Sequence, residues 1–212
     1  MGKIHQSIAV LVLVLIGLMG CGYDPQAGGA RKHASVTELQ QNLRDLWVGH
    51  IFWVRHVASN NTADNQQMRD AAEKEVVANA KQIAHAMTPF YGEAASQKFL
   101  SLLDINYGAV RAYSEAPVAG HTRRQHAALA RPESNADEIA DFLSHLNPYL
   151  QKDIVRSLIT THGAHHVLQI NQYKAKDYAP LGATWPMMRQ HIYVIADTLT
   201  TALAKQFPSK FS

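Results

Sequence analysis

From Val36 onward the apolar residues recur at intervals of three and four. Leu39, Leu43, Leu46, Trp47, Trp53, Val54 and Val57 mark one face of a helix, with His50 among them. Thr37 and Glu38 supply a start for this first helix, and Asn60-Asn61 an end. A second helix is predicted from about Asp64 to Met87, stopping before Pro89. The third runs from Glu93 to Tyr113 on the stripe Phe99, Leu102, Leu103, Asn106, Ala109, Val110 and Tyr113, and is broken by Pro117 and Gly120. The Ala- and His-rich stretch up to Pro132 reads as a loop with at most one short helix. A fourth helix opens on the cap Asn135 and closes before Pro148; a fifth spans Leu150 to about Tyr173. Pro180, Gly182 and Pro186 mark a turn, and a last helix runs from Met187 to about Gln206. No segment alternates strictly as a strand does. The pattern predicts an all-α fold, an antiparallel bundle of about six helices.

An internal repeat lies within this pattern. Asn79-Ala80-x-x-Ile83-Ala84 returns as Asn135-Ala136-x-x-Ile139-Ala140, and Ser101-Leu102-Leu103 as Ser157-Leu158-Ile159, both at an offset of 56. His50-Ile51-Phe52 matches His191-Ile192-Tyr193 at an offset of 141. Together these predict a duplicated three-helix unit whose second copy is permuted in order. They also pair His50 with His191 and Asn106 with His162.

Ahead of the helices the chain has another character. Lys3 precedes the apolar run Ile8 to Leu18, and Leu18-Met19-Gly20-Cys21 follows, with Cys21 the only cysteine. A basic start, a short apolar run and small residues before a cut describe a secretory signal peptide over residues 1–20. A run this short is a poor span, which needs about 20 residues. The lone cysteine directly after it matches a lipobox, in which the thiol is acylated; the alternative is an ordinary signal peptide with an incidental cysteine. Residues 21–35, with Pro25, Gly28 and Gly29, read as a lipidated tether, leaving 36–212 as the helical domain. The lipid bilayer is then a partner through Cys21, and the location the cell envelope. With Gly22 rather than Asp after the cysteine, the outer membrane facing the periplasm is expected in a Gram-negative cell.

Charge and cysteine content narrow the field further. The formal charge is +3, and loss of Lys3 with the leader lowers it to +2. No dense Lys/Arg run appears, so nucleic acid is not an expected partner. With a single cysteine no internal disulfide can form, and the fold must rest on its apolar core.

Histidine is the compositional excess, 12 in the chain. Several lie on apolar stripes: His50 between Trp47 and Trp53, His191 between Met188 and Ile195, and His162 and His165 after Ile154 and Leu158. Asn106 takes the corresponding place on the third helix. In His162-x-x-His165-His166 the residues fall at i, i+3 and i+4, so two can share a face. The candidate cluster is therefore His50, Asn106, His162, His165 and His191, read either as a buried polar network or as a transition-metal site. Carboxylates are scarce on these stripes, with only Asp104 and Asp197 at the edge. The paired Glu-x-x-His motifs of di-iron bundles are absent. The buried network is the favoured reading of the two.

Four motifs carry a resemblance: Leu46-Trp47-x-x-His50-x-x-Trp53-x-Arg55, Pro89-Phe90-Tyr91-Gly92-x-Ala94-Ala95, Asn135-Ala136-x-x-Ile139-Ala140-x-Phe142-Leu143, and Gln206-Phe207-Pro208-x-Lys210-Phe211. In these the chain resembles an uncharacterised family of bacterial extracytoplasmic (lipo)proteins over most of residues 43–211. The resemblance implies a helical bundle and no activity. Relatives tend to carry Glu where Gly49 stands and His where Asn106 stands, a departure that puts in doubt any shared site built on those groups in this chain. No phosphate-cradling loop or serine elbow supports an enzyme. The expectation is an envelope lipoprotein acting as a non-catalytic binding or structural module with a protein partner. The alternative is a histidine-based metal binder, a transition metal being the one cofactor these residues could hold.

Overall fold

The computed structural model describes residues 35–116 and 122–211, with the backbone alone over 122–133. Expectations for the signal peptide, for Cys21 and for the tether up to residue 34 lie outside the described residues. Among the described residues six helices follow one another: α1 (Val36–Thr62), α2 (Gln66–His85), α3 (Thr88–Glu115), α4 (Thr122–Leu146), α5 (Lys152–Lys174) and α6 (Leu181–Gln206). A single 3₁₀ turn, Pro208–Lys210, ends the fold, and no strand occurs among the described residues. No described helix is long and apolar enough to cross a membrane.

The all-α antiparallel bundle is as the sequence predicts; several boundaries differ. The first helix is capped by Ser35, two residues before the expected start at Thr37. Ser35 Oγ accepts from the Glu38 amide at 3.1 Å while the Ser35 amide donates to the Glu38 carboxylate at 2.7 Å, a reciprocal capping box. Helix α3 contains a break at Gly92 (φ 80°, ψ 174°), a conformation only glycine adopts cheaply, so regular helix resumes at Glu93 as expected. Helix α4 already begins at Thr122, so the segment before Asn135 is helix rather than loop. Asn135 is not its cap but a buried mid-helix residue. Helix α6 likewise starts at Leu181 and runs through Pro186. That proline forgoes a bond only to the carbonyl of Gly182 in the first turn, and burial of Leu181, Thr184 and Met188 on the bundle outweighs the loss.

The repeat extends further than its two sequence matches. Asn79 Nδ2 donates to Leu46 O at 2.9 Å, Asn135 Nδ2 donates to Leu102 O at 3.1 Å, and His191 Nε2 meets Leu158 O at 2.9 Å. Leu46, Leu102 and Leu158 stand 56 residues apart, as do Asn79, Asn135 and His191. The same offset relates the buried sets Ile83, Ile139, Ile195 and Ala84, Ala140, Ala196. Asp64 and Lys176, the two non-glycine residues with positive φ among the described residues (53° and 55°), occupy equivalent turns in the first and third units. The chain is thus three helical hairpins, residues 36–91, 92–147 and 148–203. The permuted three-helix duplication is corrected accordingly. The offset of 141 joins His50, on an odd-numbered helix, to His191, on an even-numbered one, and their contacts are not equivalent.

Packing follows the same order. Each helix packs on its chain neighbours, α6 packs back on α1, and α1, α3 and α5 also touch one another. The odd helices therefore form a parallel inner trio, and the even helices, each antiparallel to its neighbours, fill the ring around them. The reason lies in the spacing. Leu43, Trp47, His50, Val54 and Val57 on α1 are buried at steps of four and three, and so are Phe99, Leu103, Asn106, Val110 and Tyr113 on α3. Val155, Ile159, His162, His166 and Gln169 repeat that register on α5. This is the stripe of a three-stranded coiled coil. Two apolar clusters result. The larger holds Leu43, Trp47, Phe99, Leu103, Val155 and Ile159 with the matching residues of the outer helices. The smaller holds Val54, Val57, Val110 and Tyr113. The level of His50, Asn106 and His162 falls between them.

The repeated side chain-to-carbonyl bond ties each outer helix to its inner one. Asn135→Ala is expected to destabilise the fold by about 1–3 kcal/mol in urea unfolding, because the Leu102 carbonyl loses its buried partner. Asn135→His, which imitates the third unit, should cost less than the alanine change.

Candidate functional site

At the junction of the two cores, α1 and α5 bring three imidazoles together. His50, His162 and His166 are all buried, and one ring nitrogen of each lies within 4.8 Å of those of the other two. His162 and His166 are four residues apart on one face of α5, the spacing by which a helix chelates a metal with two histidines. Their Nε2 atoms are 3.2 Å apart, so one ring donates to the other. The His50 ring stands 5.5 Å from that of His162 and 6.0 Å from that of His166, centroid to centroid. Trp47 sets its ring edge-on to both His50 (5.8 Å) and His162 (6.2 Å), walling the cluster on the side of the larger core.

The group is incompletely satisfied. His50 Nδ1 and Trp47 Nε1 are buried with no hydrogen-bond partner among the described residues, and so is the amide nitrogen of Gln169, one helical turn beyond His166. An unpaired buried polar atom costs about 1–3 kcal/mol, so a network of these side chains alone leaves the arrangement short of partners.

Burial dominates the electrostatics. It lowers the pKa of His50 from 6.5 to about 4. His166 falls to about 3, from burial first and then from the repulsion of His50 and His165. His162 drops well below the ordinary value, again through burial, with His166, His50, His191 and His165 adding to it. All three are neutral imidazoles at neutral pH, the form that coordinates metal.

The cluster differs from the sequence expectation. His50 and His162 meet as expected. Asn106 is buried on α3 at the same register level and takes the third place in the layer. His165 and His191 do not join the trio. Their half-buried rings face each other at 5.0 Å on the α5–α6 seam. His166 completes the cluster instead. The signal for it was available: the steps of four and three through Val155, Ile159 and His162 land on His166, whereas His165 falls off that register. Of the carboxylates weighed at the edge, Asp197 is engaged by Arg44 Nε (2.8 Å) and Gln40 Nε2 (2.9 Å) between α1 and α6, and Asp104 is exposed. The site is therefore an all-imidazole one.

Because the folded state lowers these pKa values below the unfolded 6.5, the unfolded chain binds more protons under acid conditions. The histidines' contribution to stability is fully present above about pH 6.5 and is lost as pH falls through it toward 4. The melting temperature, followed by circular dichroism, should decline across that window. His162→Asn, which installs the residue of the second unit, should make the decline shallower.

Comparison of the chain with protein-family models, with curated proteins and with solved structures gives no match in any of the three, so the reading of its function rests on the geometry above.

Proposed function

We propose that the protein binds a transition metal through His50, His162 and His166. The observation that carries this reading is the convergence of three buried, neutral imidazole nitrogens within 4.8 Å, one ring with an unpartnered nitrogen. Tetrahedral coordination at about 2.1 Å sets ligand nitrogens roughly 3.4 Å apart. The His162–His166 pair is already at 3.2 Å, so binding asks that the proton between their Nε2 atoms move to an Nδ1 or to solvent and that His50 close on the pair. Imidazoles suit zinc, copper or nickel. With no carboxylate in the cluster, a divalent ion would bring an anionic fourth ligand, such as hydroxide, to lessen the cost of its buried charge.

The setting we propose is the cell envelope. Its support is the sequence of residues 1–21, where a basic start, an apolar run and Cys21 match a lipidation signal. Two acyl chains would hold the bundle at the bilayer, because one chain alone binds only marginally. We read the module as one that holds its ion or passes it to an envelope protein partner.

Two measurements test these points. The metal content of the full chain, purified without a tag, should approach one ion per chain. Zn²⁺ should raise the melting temperature by several degrees at concentrations far above its dissociation constant. His50→Asn and His162→Asn should each abolish that rise; protein that takes up no zinc, copper or nickel overturns the reading. Cells fed a fatty-acid analogue should label the wild type and not Cys21→Ala, and release of unlabelled wild type to the soluble fraction overturns the anchor.

A further inference from the structure

His191 does the work of an asparagine and keeps a nitrogen spare. In the first two hairpins the bond to the leucine carbonyl of the partner helix comes from Asn79 and Asn135; in the third it comes from His191 Nε2 to Leu158 O at 2.9 Å. Since the carbonyl can only accept, Nε2 carries the hydrogen and Nδ1 is left as a free lone pair, the form that ligates. The fold needs no histidine here, because two units are closed by asparagine.

The ring that His191 faces is as telling. His165 stands where the other units have Trp53 and Ala109, so no structural demand of the repeat calls for an imidazole. The two rings are 5.0 Å apart and nearly perpendicular, and His165 Nδ1 is buried without a partner among the described residues. Both residues are half-buried and so in part open to solvent, whereas the trio is buried. His165 directly precedes His166 and lies one turn beyond His162, so the seam pair and the buried trio share the same stretch of α5.

We propose that His165 and His191 form a second, solvent-reachable imidazole site on the α5–α6 seam, which captures the transition metal and delivers it to His50, His162 and His166. The inference rests on the metal-binding reading of the trio and gives it a route of entry. An ion held by two imidazoles keeps water in its remaining positions. It can exchange those waters for the nitrogens of His162 and His166 without passing bare through the apolar core. No bond of the chain is made or broken, and the ion leaves the pair as it gains the trio.

The full chain in detergent, titrated with Zn²⁺ against a chromophoric chelator and followed by rapid mixing, tests this. Wild type should take two zinc ions, one of them more weakly. His191→Asn, the residue the fold itself uses at the two equivalent places, should leave the melting temperature of the metal-free chain unchanged. It should remove the weaker site and slow loading of the remaining one by roughly tenfold, with its equilibrium affinity kept within about threefold. His165→Gln, which leaves the Leu158 bond untouched, should do the same and serves where His191→Asn disturbs folding. Wild-type stoichiometry and loading rate in both variants overturn the capture site while leaving the buried site standing. Absence of zinc uptake by the wild type, or uptake unaltered by His162→Asn, overturns the buried site and the capture site together.

Discussion

Three inner helices that must each bury a four-three stripe can do so at once only by meeting around a common axis. That demand organises everything else in the bundle. Leu43, Phe99 and Val155 occupy one level of the stripe, and Trp47, Leu103 and Ile159 the next. The outer helices cover what the trio leaves exposed, with Ile83, Ile139 and Ile195 at equivalent positions. Each such side chain contributes on the order of 1.5–3 kcal/mol when fully buried. In a chain with one cysteine, outside this domain, these cores stand in for any covalent restraint.

Seen from this axis, the polar level at His50, Asn106 and His162 is an exception the fold tolerates at one place. A Leu or Ile there would join the two apolar clusters into one. Three polar side chains instead separate Val54, Val57 and Val110 from the larger core. The third hairpin departs furthest. Where the first two place valines at Val54 and Val110 it has His166, and opposite Val57 and Tyr113 it has Gln169. Hairpins that share one packing solution have thus diverged chemically in a single copy. That departure falls on α5 and His191, while the levels of Val155 and Ile159 stay apolar as in the other hairpins.

The seams between hairpins repeat as well. Ser96 Oγ donates to Ala84 O at 2.8 Å between the first and second units, Lys152 pairs with Asp141 between the second and third, and Gln40 reaches Asp197 where the third closes on the first. Ser96, Lys152 and Gln40 are equivalent positions. The pairs at these seams that involve charge are half-exposed and each contributes little, about 0–1 kcal/mol, so they fix register more than stability.

The helical period, the antiparallel order and most helix bodies were legible in the sequence, because short-range spacing and caps act within a turn or two. The step from Asn79 to Asn135 was legible too, as was the pairing of Asn106 with His162. The third copy was masked where Asn gives way to His191, since a hydrogen-bond donor can change identity without changing its role. Helix around Pro132 and Pro186 was not legible, because proline disfavours a helix interior; at Pro186 burial of Leu181, Thr184 and Met188 on the bundle outweighs that preference. Sequence alone also brought His50 and His162 to one core, but it put His165 beside them where the structure has His166. One residue on a helix turns the side chain by about 100°. The four-three register puts His166 on the stripe, but only the closure of three hairpins around an axis makes that stripe the inner one and turns His165 to the seam.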